Sequence, residues 1–176
     1  DYYKADEKVG TITTDSNGIA QMDNLPAGKY YVKEVKTAHG YVLDGEPRYV
    51  DLSYRDQDTP VITYDEKWQN TRQKVKVTVL KKEKDTDRVL AGGVFGLYTS
   101  EDIKNVNGDV LLEKDSLIEQ KATDEKGQIT FAADLPVDGK YYVKENSAPD
   151  GFVTTEEVQE FTFEYAGEDQ AEVSYD

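Results

Sequence analysis

The sequence predicts an all-β chain built of two tandem β-sandwich units, the first of which lacks its opening strands. Two observations carry this. The run Gly28-Lys29-Tyr30-Tyr31-Val32-Lys33-Glu34 returns unchanged as Gly139-Lys140-Tyr141-Tyr142-Val143-Lys144-Glu145, at an offset of 111 residues. Short segments with period-2 alternation fill most of the rest, each bounded by Gly, Asp, Asn or Pro, and no long 3.6-residue period is present.

The repeat extends beyond the identity. At the same offset Gly40-Tyr41 falls on Gly151-Phe152, Tyr54 on Tyr165, and Tyr64-Asp65 on Tyr175-Asp176. Upstream, with small shifts, Thr14-Asp15 and Gly18 match Thr123-Asp124 and Gly127, and Leu25-Pro26 matches Leu135-Pro136. A collinear match of this kind points to duplication of one module. Residues 74–98 have no counterpart before residue 1, and residues 66–70 have none after residue 176. The expectation is a first unit at 1–72 without its opening strands and a second at 73–176 without the end of its last strand. The boundary falls on the polar junction Thr71-Arg72-Gln73.

In the second unit Val75, Val77 and Val79 alternate with Lys76, Thr78 and Leu80, as in a half-buried strand. Val94 to Tyr98 follows the turn-like Gly92-Gly93. Strands are then expected at Ile118 to Thr123, Gln128 to Ala132, Lys140 to Glu145, Gln159 to Tyr165 and Glu172 to Asp176. Asp15-Ser16-Asn17-Gly18 and Asp124-Glu125-Lys126-Gly127 have the composition of turns with Gly at positive φ. Ser100 to Asn105 is the one stretch suited to a helical turn. About seven short strands at this spacing make a β-sandwich.

Composition narrows the function classes. The 176 residues carry 36 acidic and 21 basic side chains, a net charge of −15, which argues against a nucleic-acid or anionic-membrane partner. The charge serves solubility first. Thirteen tyrosines suit a sandwich, where the ring packs and the hydroxyl reaches water. There is no Cys, no signal peptide and no apolar run of about 18 residues. A small Cys-free domain outside the cell has to find its stability without disulfides.

The alternation also points at polar residues. After Val75, Val77 and Val79 the next inward position is Lys81, which either snorkels out at the sheet edge or turns into the core. In the repeated strand Tyr141 and Val143 inward put Glu145 inward, and Glu34 holds the same place in the first unit. A core carboxylate needs a partner, and Lys81 with Glu145 would form an ion pair. At the end of the first unit Ile62, Tyr64, Glu66, Trp68 and Asn70 share one face, expected to point inward. Burial favours a neutral amine and a protonated carboxyl. Lys, Glu and Asn converging in a dry core could therefore join Lys to Asn by an isopeptide bond, with the Glu moving the proton and ammonia leaving.

The motifs around these residues resemble the Cna-B or SpaA-like prealbumin-type modules of Gram-positive surface adhesins and pilins. One match is Lys81 and Glu83 followed by Leu90-Ala91-Gly92-Gly93-Val94-Phe95-Gly96-Leu97-Tyr98. The other is Tyr142-Val143-Lys144-Glu145-Asn146-Ser147-Ala148-Pro149-Asp150-Gly151-Phe152, similar to that family's E-box, with a looser version at Tyr31 to Tyr41. The resemblance implies an Ig-like, prealbumin-type sandwich. It implies a Lys in the first strand, an Asn or Asp in the last, and the E-box Glu as proton shuttle. By position these are Lys81 and Glu145 in the second unit, and Glu34 and Asn70 in the first. Neither unit holds all three. Asp176 is a substitute acceptor of low rank, because it aligns with Asp65 on the face opposite Tyr175.

The function expected is a structural stalk or shaft segment of an extracellular, cell-wall-attached surface protein, with adjacent modules of the same protein as partners. Cell-wall attachment follows from the resemblance alone. The alternative is a module binding a host protein or glycan through exposed aromatics such as Tyr2, Tyr3, Tyr54 and Trp68. An enzyme with turnover has little material: His39 is the only His, in a turn-like Ala-His-Gly. No cofactor is expected, and Asp85-Thr86-Asp87 falls short of a calcium loop.

Overall fold

A computed structural model of the chain describes residues 3–59 and 61–176. They form two compact units: unit 1 from the described part of Asp1–Glu34 and Gly45–Gln69, and unit 2 from Val35–Asp44 and Asn70–Asp176.

The described residues of unit 1 include an antiparallel pair, β1 (Lys29–Val32) and β2 (Arg48–Asp51), in which Tyr30 faces Val50. Val50 is its buried apolar side chain. Arg48 pairs with Glu66 at 2.7 Å and lies 4.1 Å over the Trp68 ring. The strand expected across Ile62 to Asn70 does not form among the described residues, and Tyr64 on its supposed inner face is 46% exposed. Burial still alternates at its two ends, where Ile62, Trp68 and Asn70 are half-buried between exposed neighbours, while Tyr64 and Glu66 are exposed like the opposite face.

Unit 2 is the sandwich. β3 (Lys74–Leu80) lies between β8 (Gln128–Phe131), antiparallel, and β11 (Glu172–Tyr175), parallel. The second sheet runs β10 (Val158–Thr162), β9 (Lys140–Ser147), β4 (Val94–Thr99), β7 (Leu117–Ala122), all antiparallel. Their inner faces meet in one core that includes Val75 and Val77 from β3, Leu97 from β4, Phe131 from β8 and Tyr141 from β9, with Phe163. Two aligned sheets closing on alternate residues is the arrangement the period-2 pattern called for.

Residues 100–105 are not helical. Ile103–Lys104 forms β5, paired with β6 (Val110–Leu112). The Asn105 side chain accepts from the amides of Asn107 and Asp109, both at 2.9 Å, and Gly108 has φ 87°. This local turn chemistry competes with a helix and closes a hairpin instead.

The duplication is visible atom by atom. Tyr141 faces Phe161 in unit 2 as Tyr30 faces Val50 in unit 1, the same register at the same offset. The Asp15 and Asp124 side chains each accept from the amides two and four residues on, at 2.8–3.0 Å. Those two amides, Ile19 before Asn17, hold the Asp15 carboxyl below its usual range. Tyr30 and Tyr141 donate to the carbonyls of Pro26 and Pro136.

Candidate functional site

Lys81 follows the last residue of β3. Val75 and Val77 are buried and Val79 packs on the core, so the alternation carries Lys81 inward. Its backbone is pinned on both sides: its amide donates to Gly127 O at 2.8 Å, and its carbonyl accepts from Leu90 N at 3.0 Å. In β9 Tyr141, Val143 and Glu145 are all buried. The two stripes meet: Lys81 Nζ lies 2.9 Å from Glu145 Oε1, with side chains 18% and 0% exposed.

The pair is only partly satisfied by hydrogen bonds. Glu145 Oε2 accepts from the Thr155 amide at 2.9 Å. Oε1 is held by charge alone, off any hydrogen-bond direction. A carboxylate removed from water against one ammonium can exchange a proton with it, and an amine that has given up its proton is a nucleophile.

The other candidates are placed differently. Glu34 is half-buried in unit 1. Asn70 belongs to unit 2, half-buried, with its Nδ2 donating to Val42 O at 3.2 Å. Asp176 is exposed, while its neighbour Tyr175 and Val173 pack toward the core. β11 pairs Tyr175 with Val77, so Lys81 lies four residues beyond the last pair of that parallel ladder. His39 is exposed and contacts Asp138 at 2.6 Å. Of the aromatics expected outside, Tyr54 is 68% and Tyr3 39% exposed, Trp68 is half-buried, and Tyr2 lies outside the described residues. Among the described residues no cluster of three or more His, Asp or Glu could hold a metal ion. Among the described residues no helix is long and apolar enough to cross a membrane.

Three contributors escaped the sequence reasoning. Gly127 was legible as a turn residue but not as a positioning one. A Cβ there would stand 2.7 Å from Lys81 O, so only Gly lets that backbone approach. Thr155 contributes through its amide, which no residue type announces. Gln73, in the polar junction, is 1% exposed and bonds Gly167 O, Gln170 O and the Ala166 amide. A Gln one position out of phase with the charged residues around it was the only signal.

A sandwich without helices among the described residues, with a lysine at the end of its first strand against a buried glutamate, defines a prealbumin-like module. The chain belongs to the family of SpaA prealbumin-like fold domains, whose model matches residues 1–68 and again residues 75–175. No curated protein matches it. Among solved structures it is similar to the Bacillus anthracis TIE protein, at 28% identity and a TM-score of 0.65 over 93% of this chain. It spans 27% of that protein's chain. It is also similar to the group B streptococcus pilus 2b backbone protein (16% identity, TM-score 0.42, 88% of this chain and 50% of that one). A third is the shaft pilin SpaA of Lactobacillus rhamnosus GG (16%, 0.40, 93% and 68%).

Proposed function

We propose that the chain is a stalk or shaft segment of an extracellular, cell-wall-attached surface protein of Gram-positive type. Its modules, divided near residue 72, act as load-bearing spacers joined to adjacent modules of the same protein. The single observation that carries this is the Lys81–Glu145 contact at 2.9 Å with the glutamate side chain fully buried. In a Cys-free module such a pair makes sense as one half of an autocatalytic cross-link. Glu145 takes a proton from the Lys81 amine. Nζ attacks the Cγ of an asparagine side chain on the last strand. The Nζ–Cγ bond forms, the Cγ–Nδ2 bond breaks, the carboxyl returns its proton to the leaving nitrogen, which departs as ammonia, and the carboxylate takes up the proton that Nζ sheds on becoming an amide. The event happens once per module, so the protein is not an enzyme with turnover. Glu34 and Asn70 have the corresponding roles in the first repeat.

The test supplies the acceptor in trans. A synthetic peptide of residues 61–71, the first repeat's own Asn70 segment, is incubated with the chain and the product weighed intact. The expected adduct has the summed mass less one ammonia, is joined at Lys81, and is lost in Glu145→Gln. No adduct with the unaltered chain would overturn the cross-linking reading.

A second reading, binding of a host protein or glycan, rests on the Tyr31 and Tyr49 rings, 6.0 Å apart and 41% and 75% exposed. A glycan and matrix-protein array should then show a ligand that Tyr49→Ala loses; an array blank for the unaltered chain removes this reading.

A further inference from the structure

The ten residues after the glutamate are in different situations in the two repeats, although the turns at their centres match. Gly40 and Gly151 have φ 86° and 85°, and the turns close with Tyr41 N to Ala38 O at 3.2 Å and Phe152 N to Pro149 O at 3.0 Å. The first turn is embedded in unit 2. Gly40 is buried, and a Cβ on it would stand 2.9 Å from Val137. His39 meets Asp138 at 2.6 Å and stands edge-on to the Tyr165 ring at 4.5 Å. Tyr165 donates to Tyr41 O at 2.7 Å, and the Leu43 amide donates to Glu168 O at 2.9 Å. The second turn has no such cover: Gly151 is exposed, and Val153, counterpart of the half-buried Val42, is 92% exposed.

The receiving surface is duplicated as well. It is framed by the end of the hairpin, where Phe163 N bonds Gly139 O at 3.0 Å; in unit 1 Leu52 N bonds Gly28 O at 2.8 Å, the same pairing at the same offset. Tyr54 stands where Tyr165 stands, and at 68% exposed it is uncovered, whereas Tyr165 is half-buried.

We propose that the Gly151 turn, residues 148–155, is a docking element for the Tyr54 face of unit 1 in a second copy of this chain. The contact is head-to-tail and repeats the one the Gly40 turn makes within unit 2. Charge selects this partner. Asp150 replaces His39, and would meet Asp138 as a like charge on a unit-2 surface. On unit 1 the turn before the hairpin is one residue shorter, Pro26-Ala27-Gly28, and Ala27 stands in place of Val137-Asp138. Such a contact is heterologous, so it joins copies head to tail. It rests on the module reading above.

The experiment is a concentration series of the full chain followed by amide chemical shifts. A contact this small should have a dissociation constant on the order of 1 mM, so the series runs to about that concentration. Signals of Gly151 to Thr154 and of the residues around Tyr54 should move together. Val153→Asp, at an exposed position that leaves the fold alone, should abolish the shifts, and so should Tyr54→Ala. Ala27→Asp should weaken association at least about five-fold through like charge, and adding Asp150→His should restore it. Absence of any concentration-dependent shift overturns the proposal, as do shifts that survive both Val153→Asp and Tyr54→Ala. The peptide cross-linking experiment does not depend on this contact, so a failure here leaves it untouched.

Discussion

Seven identical residues lie in two settings in this molecule. In unit 2, Gly139 to Glu145 has strands on both sides, β10 and β4, and β9 runs eight residues through Glu145. In unit 1, among the described residues, β1 pairs with β2 and stops at Val32 after four residues. The register with the return strand is the same. Burial is not: Tyr141 and Val143 are 0% and 6% exposed, while Tyr30 is half-buried and Val32 is 45% exposed. Local sequence therefore decides pairing and register, and the neighbouring strands decide how dry the glutamate is. The proton transfer proposed for Glu145 depends on that dryness, because charges in water are screened.

The sharpest way to break the comparison is to remove the lysine. Lys81→Met leaves the Glu145 carboxylate buried with no counter-charge and should destabilise unit 2 by about 3–5 kcal/mol. Lys81→Met combined with Glu145→Leu should recover most of that loss, because the pair as a whole repays little beyond its own desolvation. Glu34→Gln, at a half-buried position, should cost about 1 kcal/mol or less. Urea unfolding followed by amide signals assigned to each unit separates these effects. Equal losses in Lys81→Met and Glu34→Gln would mean the glutamates are equivalent and the contrast is unfounded.

Much of this contrast was legible beforehand. Alternation on two strands, Val75-Val77-Val79-Lys81 and Tyr141-Val143-Glu145, was enough to aim a lysine and a glutamate at one core, because side-chain direction in a paired strand is fixed by the pleat. At Ile62 to Asn70 the same logic held for Ile62, Trp68 and Asn70, which are half-buried between exposed neighbours, and failed at Tyr64 and Glu66, where no strand forms among the described residues. It failed at Ser100 to Asn105 because a side-chain turn at Asn105 outcompeted the helical turn. Contacts made by backbone groups, such as the Thr155 amide on Glu145, leave no trace in residue types at all. Nor does the backbone approach that only Gly127 permits.

Gly127 offers the second test. It and Gly18 occupy matching turns, with φ 72° and 76° and a closing bond to the Asp carbonyl at 2.9 and 3.0 Å. Around Gly18 there is open space. Around Gly127 a Cβ would meet Lys81 O at 2.7 Å and Val89 Cβ at 2.9 Å. Gly18→Ala should cost only the left-handed backbone term, about 1–2 kcal/mol. Gly127→Ala adds overpacking against backbone and should cost about 2–4 kcal/mol. It should also move the Lys81 amide signal, since that amide donates to Gly127 O. A Gly127→Ala variant no less stable than Gly18→Ala, with Lys81 unmoved, would show that the turn does not position the lysine.

The smallest effect expected lies in the paired tyrosines. Both donate to the carbonyl of a proline in the preceding turn, at 2.5 Å from Tyr30 and 2.9 Å from Tyr141. Tyr141 is wholly enclosed and Tyr30 only half-buried, so Tyr141→Phe removes the better shielded hydroxyl and should cost about 1–1.5 kcal/mol, against about 0.5 kcal/mol for Tyr30→Phe. The two environments part further with pH. Burial first, and the Glu101 carboxylate second, push the Tyr141 phenol well above its usual value. A group raised on folding holds its proton more tightly in the folded state. Its contribution is therefore complete below the unfolded value of about 10 and is lost as pH climbs through the folded one. Unit 2 should lose stability from about pH 10 upward, and Tyr141→Phe should flatten that fall. The slope should not vanish, because burial also raises the Tyr142 and Tyr165 phenols. Urea midpoints of unit 2 on either side of that threshold, with and without the Tyr141 hydroxyl, read the difference directly. An unchanged slope in Tyr141→Phe would mean that this phenol, although enclosed, ionises as easily in the folded chain as in the unfolded one.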